Sequence, residues 1–112
     1  MPPDGRKLLW DVAEACQDIR RITEAMSFEE YVAGQDHRRL VERYLEIVGE
    51  ALRQFGHAEP SLALRVSALR RWVDLRNVIA HGYDSLDDQI IWDICRNAVP
   101  DLYGEILWLL ES

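Results

Sequence analysis

The chain has 112 residues, 48% of them hydrophobic, and a formal net charge of −7 from 20 acidic and 13 basic residues. That length predicts one domain spanning 1–112, and that apolar content excludes a disordered chain. The acidic balance argues against broad, nonspecific nucleic-acid binding through a basic surface, though it leaves room for a small local site. Twelve of the thirteen basic residues are Arg, and only Lys7 is Lys. Arg suits interfaces and phosphate recognition better than Lys, while a GC-rich genome gives the same bias. A chain this short gains from burial against a second copy.

In chain order, Asp4 is placed to cap a first helix. Leu8, Val12, Ala15, Ile19, Ile22 and Met26 then recur at steps of three and four. Met1 to Gly5 leads straight into this mixed, charged helix, which is not the pattern of a secretory leader. Ser27-Phe28-Glu29-Glu30 reads as a capping box opening a short turn that Gly34 interrupts. A longer helix is expected from Asp36 to Phe55, with Val41, Leu45, Val48, Leu52 and Phe55 as its stripe and Leu40, Tyr44, Ile47 and Ala51 beside it. Gly49 lies in the middle of that helix, where it costs up to ~1 kcal/mol against Ala, so a close helix approach is expected there.

Gly56 to Pro60 reads as a loop, with Pro60 at the first position of a third helix carrying Leu62, Val66, Leu69, Trp72, Val73, Leu75 and Ile79. Gly82 is its stop signal. Asp84 and Ser85 are candidate caps for a fourth helix to about Asn97, with Ile90, Ile91, Ile94 and Cys95 inward, and Val99-Pro100 is expected to break it. A last helix runs from Pro100 on Leu102, Ile106, Leu109 and Leu110. No alternating strand pattern or repeat is present. The prediction is all-α: an antiparallel bundle of four to five helices. Cys16 and Cys95 lack a CxxC partner and read as reduced, buried thiols of a cytoplasmic protein. No apolar run approaches the ~20 residues of a membrane span. His37 and His57 have no clustered acids or thiols, so no metal site or cofactor is expected. Asp84, Asp87 and Asp88 lack calcium-loop spacing.

The chemistry concentrates in Arg76-Asn77-Val78-Ile79-Ala80-His81-Gly82-Tyr83. Arg76 comes seven positions after Leu69, about 20° away around the helix, so it sits on the apolar stripe. An Arg there needs a partner: a phosphate, a second subunit, or an acid such as Glu46 or Glu50. His81 would point ~140° from Arg76 in a continuous helix. Either the helix ends near Ala80 and His81 curls back, or Arg76 of one chain meets His81 of another. A His at a helix C-terminus faces the negative end of the dipole, which favours its charged form and suits it to acid–base work. The competing structural reading is that His81 only caps the last carbonyls. On spacing alone, Tyr83 reads as packing its ring on the bundle with the hydroxyl in water.

Arg76-Asn77, Ala80-His81-Gly82-Tyr83 and their spacing resemble the R-x4-H-x-Y signature of HepT-type HEPN toxins. Glu42 to Ala51, Ile90 to Ile94 and Val99 to Leu102 resemble the family's flanking helices, so the likeness covers nearly the whole chain. It implies an all-helical, HEPN-like homodimer in which two Arg/His sets share a cleft. It further implies a metal-independent endoribonuclease of a toxin–antitoxin pair. His81 would activate the ribose 2′-hydroxyl or protonate the leaving oxygen. Arg76 would hold the phosphate, and Asn77 would orient Arg76 or the RNA backbone. The partner antitoxin implied is a minimal nucleotidyltransferase that adds AMP to Tyr83, bringing bulk and negative charge next to His81. Two other classes stay open: a noncatalytic subunit presenting a nucleotide to a nucleotidyltransferase, and a structural dimer in which Arg76 is only an interface ion pair.

Overall fold

The computed structural model describes residues 1–82 and 86–112. Four long helices are present: α1 (Pro3–Glu24), α3 (Gln35–Ala58), α5 (Leu69–Ala80) and α7 (Val99–Glu111). Three short ones join them: α2 (Phe28–Ala33), α4 (Pro60–Ala63) and α6 (Asp88–Asp93). The described residues contain no strand, and the architecture is the all-α antiparallel bundle the periodicity predicts. α3 packs between α1 and α5, and α1 packs between α3 and α7. Side-chain hydrogen bonds hold α1 antiparallel along α7 and the turn before it, Gln17 Nε2 donating to the Tyr103 hydroxyl midway. Arg6 Nη1 donates to the Leu110 carbonyl near one end, and Arg96 Nη1 to the Thr23 carbonyl near the other.

The core is built from the stripes the sequence presents. Leu9, Val12, Cys16 and Ile19 of α1 meet Val41, Leu45, Val48, Leu52 and Phe55 of α3 and Leu102, Ile106 and Leu109 of α7 in one cluster, nearly all of it fully buried. Cys16 and Cys95 are free and buried inside it, and burial pushes both thiols up to about 12. Neither is therefore a nucleophile at neutral pH. No described helix is long and apolar enough to cross a membrane.

The caps divide into those the sequence places correctly and those it does not. Ser27 Oγ accepts from Glu30 N and Glu30 Oε1 from Ser27 N, completing the capping box. It seats Tyr31, which the spacing did not mark as core, against Trp92 of α6, with ring centroids 5.4 Å apart. Helix α1, by contrast, starts at Pro3 with Pro2 at the cap, so Asp4 serves in the first turn beside the helix dipole and not as the cap. Helix α3 runs through Gly56 to Ala58. The expected third helix is interrupted: α4 is a single turn, and α5 begins only at Leu69. Arg65, between them, lies over the ring of Trp108 on α7, and Ser67 N donates to Glu105, so the interruption bends this segment onto α7.

Asp87 caps α6, accepting from Gln89 N and Ile90 N, while Asp84 and Ser85 lie outside the described residues. Ile90 is 57% exposed, not inward; Ile91 and Cys95 take the core side. The expected break at Val99-Pro100 is absent. A π-helical turn (Ile94–Ala98) passes directly into α7, with Val99 N–H reaching back to the Ile94 carbonyl. Proline's ring clashes with the carbonyl four residues back, and a widened turn just before it relieves that clash without ending the helix.

Candidate functional site

Arg76 is positioned from its stem outward. Its α-carbon lies on the face of α5 that meets α3, where α3 presents Gly49. A methyl group on Gly49 would come within 2.3 Å of Arg76 Cβ and 2.7 Å of the Trp72 carbonyl oxygen. The missing side chain is what lets the two helices close at this level, as its mid-helix position predicts. With its stem held there, the guanidinium emerges at the surface, and the side chain is 33% exposed.

Two groups receive the guanidinium. Nη1 donates to Asn77 Oδ1 at 3.0 Å, and Nη2 lies 3.8 Å from Glu50 Oε1. The ion pair is too long to be a hydrogen bond. Of the two acids the sequence offered, Glu50 takes this place, and Glu46 lies 3.8 Å from Arg43. Glu50 is itself held by Arg53, whose Nε and Nη2 each donate at 2.9 Å, and by Gln54 Nε2 at 2.9 Å. These hydrogen bonds, with the charges of Arg53 and Arg76, lower the Glu50 carboxyl to about 2. Sequence reading overlooked Arg53 and Gln54. Their spacing of three and four residues after Glu50 is the signal that could have found them.

Helix α5 ends at Ala80, and Gly82 takes the left-handed conformation with φ +63°. That ending turns His81 back over the last turn. Its main-chain N donates to the Asn77 carbonyl at 3.1 Å, and its ring Nδ1 lies 2.6 Å from the same oxygen. A carbonyl only accepts, so Nδ1 carries the proton, and in the neutral ring the lone pair lies on Nε2. The imidazole does cap a terminal carbonyl, as the structural reading of it expects. That same contact fixes its tautomer. Asn77 therefore touches both neighbours, Arg76 through its side chain and His81 through its main chain.

Two hollows adjoin this segment, one lined by Arg76 and the other by Gly82. Arg76 lines a cleft of about 230 Å³ floored by α3 and walled by α1, together with Leu8, Asp11, Arg43, Ile47 and Gln54. Gly82 lines a more polar one of about 430 Å³ with Arg38, Arg39, Glu42, Leu86 and Asp88. Burial raises the Glu42 carboxyl there. Among the described residues no group of three or more His, Cys, Asp or Glu is placed to hold a metal ion. Tyr83 lies outside the described residues, so its surroundings are not part of this geometry.

Comparison with known proteins converges on one family. Residues 12–107 match the family model described as ribonuclease HepT-like. "Putative RNase MJ0127" of Methanocaldococcus jannaschii is 33% identical, across 97% of this chain and 89% of its own length. "Probable ribonuclease HepT" of Thermococcus cleftensis is 29% identical, across 94% of each chain. No solved structure gives a significant match. With nearly the whole chain covered by the family model, the protein belongs to the HepT-like ribonuclease family.

Proposed function

We propose that the protein is the toxin of a type VII-like toxin–antitoxin pair, an endoribonuclease that cleaves RNA with Arg76, Asn77 and His81 and needs no metal for the step. The observation that carries this reading is the bridging of Arg76 and His81 by Asn77. It supports a fixed cation and an oriented base on one helix end, which are the parts phosphodiester transesterification requires. His81 Nε2 takes the proton of a ribose 2′-hydroxyl. The 2′-oxygen attacks phosphorus, the P–O5′ bond breaks, and the products are a 2′,3′-cyclic phosphate and a 5′-hydroxyl end. The 5′-oxygen receives its proton from a protonated imidazole, and Arg76 neutralises the charge that builds on the non-bridging oxygens.

The active form in this reading is a homodimer whose two Arg76/His81 sets share one cleft, so that one imidazole acts as base and the other as acid. A shared cleft also reconciles an acidic chain with an anionic substrate, because positive charge is needed only locally. The cognate partner is a minimal nucleotidyltransferase antitoxin that places AMP on Tyr83, two residues from His81. The added phosphodiester and nucleotide repel and obstruct the RNA.

The test is RNA cleavage by purified protein in excess chelator, with end-group analysis of the products. Wild type should leave cyclic phosphate ends, and His81→Ala should lose about 10²–10⁴ in rate with the fold intact by circular dichroism. Full activity in His81→Ala would remove the imidazole from the chemistry. Nucleotide binding at Arg76 with no cleavage of any RNA would favour the noncatalytic subunit instead. Intact mass after co-expression with a cognate nucleotidyltransferase checks the modification, which should map to Tyr83.

A further inference from the structure

Arg76 has a neighbour that could silence it. Glu50 lies on α3 beside Gly49, 3.8 Å from the guanidinium, and a carboxylate at that distance competes with a phosphate for the same cation. It does not close to hydrogen-bonding range, and its other contacts give the reason. Oε1 accepts from Arg53 Nε, and Oε2 accepts from both Arg53 Nη2 and Gln54 Nε2, so the carboxylate is turned along its own helix by a two-pronged fork. The Arg76 stem packs against Gly49 and its Nη1 donates to Asn77 Oδ1, which together set where the guanidinium stands.

We propose that Arg53 is a positioning residue for the phosphate site: by forking Glu50 it keeps that carboxylate from neutralising Arg76, and so leaves the guanidinium N–H groups to an RNA phosphate arriving in the cleft beside α1. The proposal rests on Arg76 being the phosphate-holding group, and it adds a control on that group which neither the motif nor the family likeness assigns. Arg53 and Gln54 lie on α3, outside the signature segment, and Arg53 acts here through Glu50 and not by touching substrate. The other charged groups at the cleft, Asp11, Arg43 and Glu46, have nearer partners: Asp11 binds Lys7 at 3.0 Å and Glu46 lies 3.8 Å from Arg43. Glu50 is the acid that faces Arg76.

The experiment is a set of variants read by binding and by kinetics. Binding uses a 2′-O-methyl oligoribonucleotide of mixed sequence, which cannot be cleaved. Kinetics uses the unmodified oligonucleotide. Arg53 is 44% exposed, so its loss should leave the fold intact, which circular dichroism checks. Arg53→Ala should weaken binding and raise KM about tenfold, with kcat changed less than about twofold, since ground-state binding of the phosphate is what is lost. Adding Glu50→Gln to Arg53→Ala should return both Kd and KM to within about twofold of wild type, because the competing charge is gone. Wild-type affinity in Arg53→Ala overturns the proposal. A defect that Glu50→Gln does not rescue also overturns it, because Arg53 would then be contacting RNA itself. Arg76→Ala is the separate control: if it binds the oligonucleotide as tightly as wild type, the phosphate role of Arg76 fails and the proposal fails with it. If only Arg76→Ala weakens binding, the phosphate role stands and the Arg53 proposal alone falls.

Discussion

Where α3 faces the core, Val41, Leu45, Val48, Leu52 and Phe55 are fully buried in one cluster with the stripe of α1. A short rotation around the same helix, where it meets α5, Gly49 and Glu50 stand against Arg76, and both charged side chains are about a third exposed. The first seam gains stability from apolar area removed from water. The second also buries Trp72 and Ile79 of α5, but at the level of Gly49 it places two charges close together at the surface, where an ion pair contributes little to stability. Its close approach serves geometry: the absent side chain at position 49 fixes where a cation stands. One helix thus holds the fold with one face and aims a functional group with the other.

Substitutions on the two faces should separate these roles. On the core face, Leu45→Ala should cost about 2–5 kcal/mol, through lost transfer energy and the cavity left behind, while folded protein keeps its RNA affinity. Denaturant unfolding and oligonucleotide binding on the same sample measure both. On the α5 face, Gly49→Ala should cost less, about 1–3 kcal/mol, because the new methyl group meets the Arg76 stem and the Trp72 carbonyl and forces α5 outward. Its effect on RNA binding should match that of Arg76→Ala. A Gly49→Ala protein that is destabilised yet binds RNA normally would show that the seam does not set the guanidinium.

The smallest effect concerns acid. The folded-state Glu50 carboxyl is lowered from 4.5 to about 2, so its contribution is present above pH 4.5 and is lost as pH falls toward 2. Between those values wild type should lose slightly more stability than Glu50→Gln, whose amide does not titrate. Coincident acid-unfolding curves for the two would mean the fork on Glu50 is absent in solution. Burial acts in the opposite direction on Cys16 and Cys95, raised to about 12. Both should resist thiol reagents in the folded protein at pH 8 and react once it unfolds.

Much of this molecule could be read along the chain, because the deciding physics is local. Ser27 and Glu30 satisfy each other's backbone within one turn, Gly82 adopts the left-handed angle that ends α5, and the stripes of α1, α3 and α7 follow from helical period alone. The same local reasoning marked Arg76 as a cation on an apolar face and Gly49 as a point of close approach. It failed where distant contacts choose among local options. Pro100 read as a break, yet the packed segment around it absorbs the ring in a π-helical turn. The helix expected from Pro60 to Ala80 stops and restarts, with Arg65 and Ser67 between the two pieces bound to α7. Period and capping determined which residues could face inward. Only the packing of α5 on α3 decided that Glu50 and not Glu46 stands beside Arg76, because that choice depends on the register between two helices, which no spacing within either one encodes.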